Sequence, residues 1–435
     1  MAFTDPAPLA PATGTAPLAP PLARERARDG TPSAARERLA RLRLARSENV
    51  GPRTYLSLMA RFGSAERALE ALPAMAARGG RRDYQVPPVE AAEAEWARGE
   101  TAGATLLVLG DEAYPARLEA IANPPPVLWL RGSADCLGLP AVGLVGARNA
   151  SALGLRQARR LGEALARAGQ LIVSGLARGI DGAAHEGALA ASSPRATGPD
   201  DPFPTGGLVA APGTTVAVLP GGIDVPYPSE HAVLADRIAA EGGAVLSETP
   251  PGTQPRNRDF PRRNRLVSGL SDGVVLIEAA LRSGSLITAR AALDQGREVM
   301  ACPGAPEDPR AAGCNALIRE GAALVRHAED VLEALSTLRL RGFAEPSDPY
   351  DLGVDDHLEG DAFDALAALD EDGAEDDAVL AEQVIALLGA APIETDEIAR
   401  LAGASPAQLA LVLLELDLAG RITLLPGGLV AARFE

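Results

Sequence analysis

Apolar residues fall in two periods along this chain. Short runs of four or five, bounded by glycine or polar clusters, mark buried strands at Ala141–Val145, Leu171–Ser174, Thr215–Leu219, Ala244–Ser247, Val274–Ile277 and Glu298–Cys302. Stretches of 3.6 periodicity lie between them: Ser151–Ala168, a run from about Asp181, Ser229–Glu241 and Ser285–Gln295. A short helix near Asn315 and a strand around Ala323–Val325 follow. Leu106–Leu109 and Val127–Leu130 read as edge strands preceding the series. Alternating buried strands and helices predict an α/β domain with a parallel, doubly wound, Rossmann-like sheet over residues 104–338.

The flanks read differently. Residues 1–32 are rich in Ala, Pro and Thr and predict a disordered tail. Residues 33–100 predict a helical module, with Asn49-Val50-Gly51-Pro52 opening a helix to Phe62 and Gly63-Ser64 starting another. This turn–helix pattern is similar to SAM or helix-hairpin-helix modules. Residues 191–213 read as a Pro/Gly/Ser-rich surface insertion, and 341–378 as an acidic linker. Residues 379–435 hold two or three helices, then Arg421–Leu424 and Leu429–Ala432 around Pro426-Gly427-Gly428, the order of a winged helix.

Composition narrows the chemistry. Of 435 residues, 47% are hydrophobic and 3% aromatic, so the core must rest on aliphatic side chains. All 41 basic residues are arginine, which excludes a P-loop with its lysine. Three separated cysteines and four separated histidines offer no zinc spacing and suggest reduced thiols. No apolar run reaches transmembrane length, and a cytoplasmic, membrane-free protein is expected. The formal charge is −17, but residues 341–380 hold 14 acids against one arginine, so an anion site elsewhere is compatible with it.

The unusual residues gather at the carboxyl ends of the strands, where doubly wound folds bind ligands. They are Gly146-Ala147-Arg148 with Ser151; Ser174-Gly175 through Arg178-Gly179 and Asp181; Pro220-Gly221-Gly222; Ser247-Glu248; Glu278 with Ser283-Gly284-Ser285; and Pro303-Gly304. Helix starts near Ser151, Asp181 and Ser285 turn backbone N–H groups toward that edge, and Arg148 and Arg178 add forked donors. The segment Arg256–Arg265 carries five arginines and one acid, a charge that suits several phosphates in a row. Phe260 and Tyr227 are the aromatics near it, so phosphate contacts should outweigh base stacking. Glu248 and Glu278 read either as a carboxylate pair or as partners of the arginine segment. The GxGxxG fingerprint is absent after the first strand, so a nicotinamide cofactor is not expected.

With these residues in place, the chain resembles the DNA-processing protein A family (DprA, also called Smf). The resemblance rests on Leu144–Arg148 with Ser151 and Gly154, Ser174–Asp181 with His185, Gly222-Ile223-Asp224 with Tyr227-Pro228, Phe260-Pro261 with Arg263-Asn264-Arg265, Ser283–Ala289, and Gly313-Cys314-Asn315. It implies single-stranded DNA binding without sequence preference, a homodimer, delivery of strands to the RecA recombinase in natural transformation or recombination, no cofactor and no catalysis. It places DNA-contacting basic residues at Arg148 and Arg178. It also implies a phosphate pocket lined by Ser151, Ser174, Gly175, Arg263, Asn264 and Arg265. The runner-up is a nucleotide phosphoribohydrolase of the lysine-decarboxylase-like group, but Pro220-Gly221-Gly222 lacks that group's following residues; release of base from nucleoside monophosphates would separate the two. Residues 381–435 carry seven acids and three arginines, so the winged helix is expected to dock protein rather than grip duplex DNA.

Overall fold

The strands form where the sequence is apolar on both faces, which suits a parallel sheet covered on each side. The computed structural model describes residues 32–192, 214–341, 374–389, 391–425 and 427–433. The tail over 1–31, most of the expected insertion and most of the acidic linker lie outside them.

Four helices come first: α1 (Pro32–Ala45), α2 (Pro52–Phe62), α3 (Ala65–Arg78) and α4 (Val89–Thr101). The sheet domain follows as β1 (Thr105–Val108), α5 (Ala116–Glu119), β2 (Val127–Gly132), β3 (Ala141–Gly146), α6 (Ala152–Arg167), β4 (Leu171–Ser174), α7 (Ile180–Ala190), β5 (Thr215–Val218), α8 (Ala232–Ala240) and β6 (Ala244–Ser247). It continues with α9 (Asp259–Gly269), β7 (Gly273–Ile277), α10 (Ser285–Asp294), β8 (Glu298–Ala301), α11 (Ala312–Arg319), β9 (Ala323–Leu324) and α12 (Ala328–Arg341). The C-terminal module is α13 (Ala374–Leu387), β10 (Ile393–Glu394), α14 (Thr395–Ala402), α15 (Pro406–Leu418), β11 (Ile422–Leu425) and β12 (Leu429–Ala432).

The nine-stranded sheet runs β1-β2-β6-β5-β4-β3-β7-β8-β9. The strands from β6 to β9 pair in parallel, while β1 and β2 pair antiparallel at one edge. Order reverses at β3, with β4 on one side and β7 on the other, so the topological switch lies between β3 and β7. Side chains of α9 and α10 join those of β3–β8 in one core, and α6, α7 and α12 cover the opposite face.

Three departures from the sequence reading have local causes. The stretch Ser229–Glu241 begins with a 3₁₀ turn, Ser229–His231, before α8. The first winged-helix helix begins at Ala374, inside the stretch expected as linker, and α12 runs past 338 to Arg341. The third departure, α9, runs through the arginine segment, where the apolar pattern predicts no element. Its buried stripe is Arg263, Leu266 and Val267, continued by Leu270 just past its end, a helical spacing whose first position is an arginine, so a hydrophobic pattern misses it. Pro261 is tolerated because it lies in the first turn, where an N–H has no helical partner.

The helical module is anchored to the sheet by a buried polar chain. The Trp129 indole N–H donates to Glu95 at 3.0 Å, and Arg46 grips the same carboxylate with contacts of 2.9–3.2 Å. A Cβ at Gly99 would stand 2.1 Å from the Trp129 ring, so glycine lets α4 lie on β2. The winged-helix module docks on the helical module of the same chain. Leu411, Leu414 and Leu418 of α15 share a core with Tyr55, Leu58, Leu72 and Met75. Thr54 donates to Asp417 at 2.7 Å, Asn49 donates to the Leu418 carbonyl at 3.0 Å, and Arg78 reaches Glu415 at 2.6 Å. The helix in the usual DNA-reading position is therefore buried on two sides.

His185 supplies a pH test of this packing. It is buried on α7 with Nδ1 2.7 Å from the Thr215 hydroxyl, and that hydroxyl donates to the Ile172 carbonyl. Burial pushes the imidazole down to about 3 from an ordinary 6.5. The unfolded chain therefore takes up a proton that the folded chain refuses. The associated stability is full above about pH 6.5 and is lost as pH falls toward 3, by about 3 kcal/mol at pH 4. Urea unfolding of His185→Gln against the parent should show a shallower loss between pH 6.5 and 4. Parallel curves would remove His185 from the acid response.

Candidate nucleic-acid interface

The carboxyl edge of the sheet is built around a buried guanidinium. Arg263 of α9 is 5% exposed and passes beneath the loop that follows β4. Its Nη1 donates to the Val218 carbonyl at 3.0 Å. Gly175 leaves room for it: a Cβ would stand 1.6 Å from that same nitrogen. Asp181 at the start of α7 faces the pair and accepts the N–H groups of Gly175 and Ala177 at 3.1 and 3.4 Å. Burial pushes the Asp181 carboxyl up against the opposing pull of Arg263 and those N–H groups. Burial likewise lowers Arg263 to about 10, which leaves it charged at neutral pH. The Ser174 hydroxyl is buried and donates to the Leu144 carbonyl at 2.6 Å.

Above this floor stands an exposed line. The Arg148 guanidinium lies 4.8 Å over the Phe260 ring, and Phe260 meets Tyr227 edge-on at 5.4 Å. Tyr227 is 44% exposed. The cation and the two rings thus form one surface, with cation–π attraction fixing the guanidinium in place. Arg178 is exposed beside it, paired with Glu230 at 2.6 and 2.8 Å. That hydrogen bond raises Arg178 and lowers Glu230, so each favours the charge of the other. An exposed pair of this kind exchanges readily for a stronger anion.

The fourteen residues expected at the site separate into distinct roles. Gly146, Arg148, Ser174, Gly175, Arg178, Gly179 and Arg263 converge where β3 and β4 end. Gly179 takes φ +77° and lies against the Ala147 and Arg148 carbonyls, so it fixes the Arg148 loop. Gly222 is buried in the turn after β5, where its N–H donates to the Thr253 carbonyl at 2.9 Å.

Others of the fourteen have partners inside the protein. Ser151 caps α6, but its N–H donates to Glu278 at 2.8 Å and its hydroxyl binds the same carboxylate. The positive end of α6, expected to face phosphate, is therefore already met by Glu278 at the topological switch. Arg265 is engaged by Glu248 and donates to the Asn123 carbonyl at 2.6 Å, so it fastens α9 rather than facing outward. Arg263 is under the surface, not on it. Of the two carboxylates, Glu248 does hold the arginine segment, whereas Glu278 does not. Asn264, Ser283, Gly284 and Ser285 form a neighbouring group, with Asn264 donating to the Gly284 carbonyl at 3.3 Å and the two serine hydroxyls 2.7 Å apart.

Sequence reasoning missed the contact between Phe260 and Tyr227 and the competing carboxylate of Glu230. The rings are 33 positions apart, and a helix has to be recognised over 259–269 before they can be brought together. Among the described residues no group of three His, Cys, Asp or Glu could hold a metal ion, and no single helix is long and apolar enough to cross a membrane.

Comparison with known proteins follows the same division. A family model described as DNA recombination-mediator protein A matches residues 105–336. A DprA-like N-terminal HHH domain matches 35–97 and a DprA winged helix domain 368–428. The protein Smf of Escherichia coli K12 is 38% identical over 329 residues, which cover 75% of this chain and 77% of that one. The DNA processing protein DprA of Bacillus subtilis is 40% identical over 245 residues, 56% of this chain and 75% of that one. The crystal structure of DNA processing protein A from Streptococcus pneumoniae superposes with a TM-score of 0.52 at 33% identity, over 67% of this chain and 95% of that one.

Gly175 is the position on which the floor turns. Gly175→Ala should displace Arg263 and lower the unfolding free energy by about 2–3 kcal/mol in urea titrations. A change below about 0.5 kcal/mol would mean that Arg263 moves aside freely and holds nothing.

Proposed function

The chain belongs to the DprA/Smf family of DNA recombination mediators, and on that premise we propose that it binds single-stranded DNA along the carboxyl edge of its parallel sheet. The observation that carries the reading is the line of Arg148, Phe260 and Tyr227 above the charged floor of Arg263. A phosphate needs a guanidinium, and an unpaired base needs a ring face or edge. Here both lie within one short stretch, and Arg178 offers the next positive charge. A duplex keeps its bases stacked inside, so rings beside a phosphate site favour a single strand. The contacts involve backbone and ring faces, which read no sequence.

In this reading Glu230 is a place-holder. It neutralises Arg178 in the free protein, and an incoming phosphate displaces it. The protein then covers the strand and passes it to the RecA recombinase, acting as a homodimer. The resemblance suggests these two partners, and no residue is assigned to either contact. The arrangement asks for binding and assigns no bond-making step to any side chain.

Two substitutions with opposite signs test the site. Arg148→Glu should weaken oligothymidylate binding by roughly tenfold or more and flatten the dependence of log affinity on log salt. Glu230→Gln should strengthen binding by roughly two- to fivefold at low salt, with the gain shrinking as salt rises. Fluorescence anisotropy at three salt concentrations reads both. Unchanged affinity in Arg148→Glu, or weaker binding in Glu230→Gln, would contradict the proposal.

A further inference from the structure

The arginine segment that builds the sheet-edge site also faces away from it. Arg256, Arg258 and Arg262 are exposed on the loop and first turns of α9. They line a groove of about 870 Å³ that lies between the sheet domain, the helical module and the winged-helix module. Arg53 of α2 contributes from the second module, and Arg433, just after β12, from the third. Arg263 borders this groove and also forms the floor beneath Gly175, so one side chain belongs to both.

The charge in the groove is only partly cancelled from within. Its acids are Glu248, held by Arg265; Asp259, which accepts the Arg256 backbone N–H at 2.7 Å and lies 3.9 Å from the Arg258 guanidinium; and Asp417, bonded to Thr54 and pushed up by burial. Arg256 and Arg262 have no side-chain partner among the described residues. Arg53 donates to the Leu425 carbonyl at 2.8 Å, and Arg433 to the Asn49 side chain at 3.2 Å, with the carboxylates of Glu48 and Asp417 near enough to feel its charge. The Arg263 Nε is buried without a hydrogen-bond partner among the described residues.

We propose that this groove is the second half of the nucleic-acid path: a single strand leaving the sheet edge runs on between the three modules, its phosphates meeting Arg256, Arg262, Arg53 and Arg433 in turn. The inference rests on the sheet-edge reading above and extends it. A lone small anion would engage one or two of these arginines. A polyanionic strand engages all of them, because they occupy three walls of one open channel. The acidic winged-helix module is then a wall of the channel, contributing Arg433 from an otherwise negative unit. Its docking on α2 and α3 keeps the groove shaped.

The experiment compares two lengths of labelled oligothymidylate on the full chain, about 6 and about 20 nucleotides, toward the lower end of and above the ~4–16-nucleotide span of known single-strand grooves. Arg256→Glu/Arg262→Glu, and separately Arg433→Glu, should lower affinity for the long oligonucleotide by roughly tenfold and leave the short one within about twofold. The salt slope for the long one should shrink by roughly 0.7 for each phosphate that the variant no longer neutralises. The paired glutamine variants should move the same way by a smaller factor, which keeps the test open if a glutamate variant folds poorly. Parental affinity for the long strand in both groove variants, or an equal loss at both lengths, would overturn the groove while Arg148→Glu still weakens both. If Arg148→Glu also binds as the parent does, the sheet-edge reading fails first and the groove with it.

Discussion

One guanidinium organises the edge of this sheet. Arg263 lies under the β4–α7 loop, donates to the end of β5 and faces the carboxylate of Asp181. A buried charge is costly unless its surroundings supply partners, and here three segments are fitted around it. Gly175 leaves room for it, Asp181 gathers the loop N–H groups opposite it, and α9 carries it inward. Because α9 is held at that point, its first turn presents Phe260 to Arg148 and Tyr227. The exposed line of Arg148, Phe260 and Tyr227 is therefore set by a side chain that hardly reaches solvent.

The same logic explains how the helix ends are used. In many doubly wound proteins the crevice at the switch receives the ligand's anion. Here Glu278 reaches across from the end of β7 and satisfies Ser151 at the start of α6. That helix start is filled by the protein itself, which leaves the ends of β4 and β5 as the open part of the edge. Arg178 is handled more loosely. Its partner Glu230 is exposed, so the pair can open.

Much of the fold is legible in the sequence because buried parallel strands are short apolar runs. Ser151 capping α6 and Pro52 opening α2 are local signals as well. What escapes is tertiary. Arg263 occupies the place of an apolar residue in the stripe of α9, so the helix has no visible period. Ser151 and Arg265 read as phosphate ligands because their residue types fit. Their carboxylate partners lie 127 and 17 positions away and declare themselves only in space. The docking of α15 on α2 and α3 is likewise hidden. The leucines of α15 look like a core helix of one small module, whereas Leu411, Leu414 and Leu418 serve a second one.

The placement of the strand is the central claim, and photo-crosslinking of a single-stranded oligonucleotide carrying a photoreactive thymine analogue tests it most directly. Mass-spectrometric mapping on the full chain should find adducts at Tyr227 and Phe260. A duplex of the same sequence should give few. Adducts confined to the winged-helix module, or equal labelling by single strand and duplex, would contradict the account.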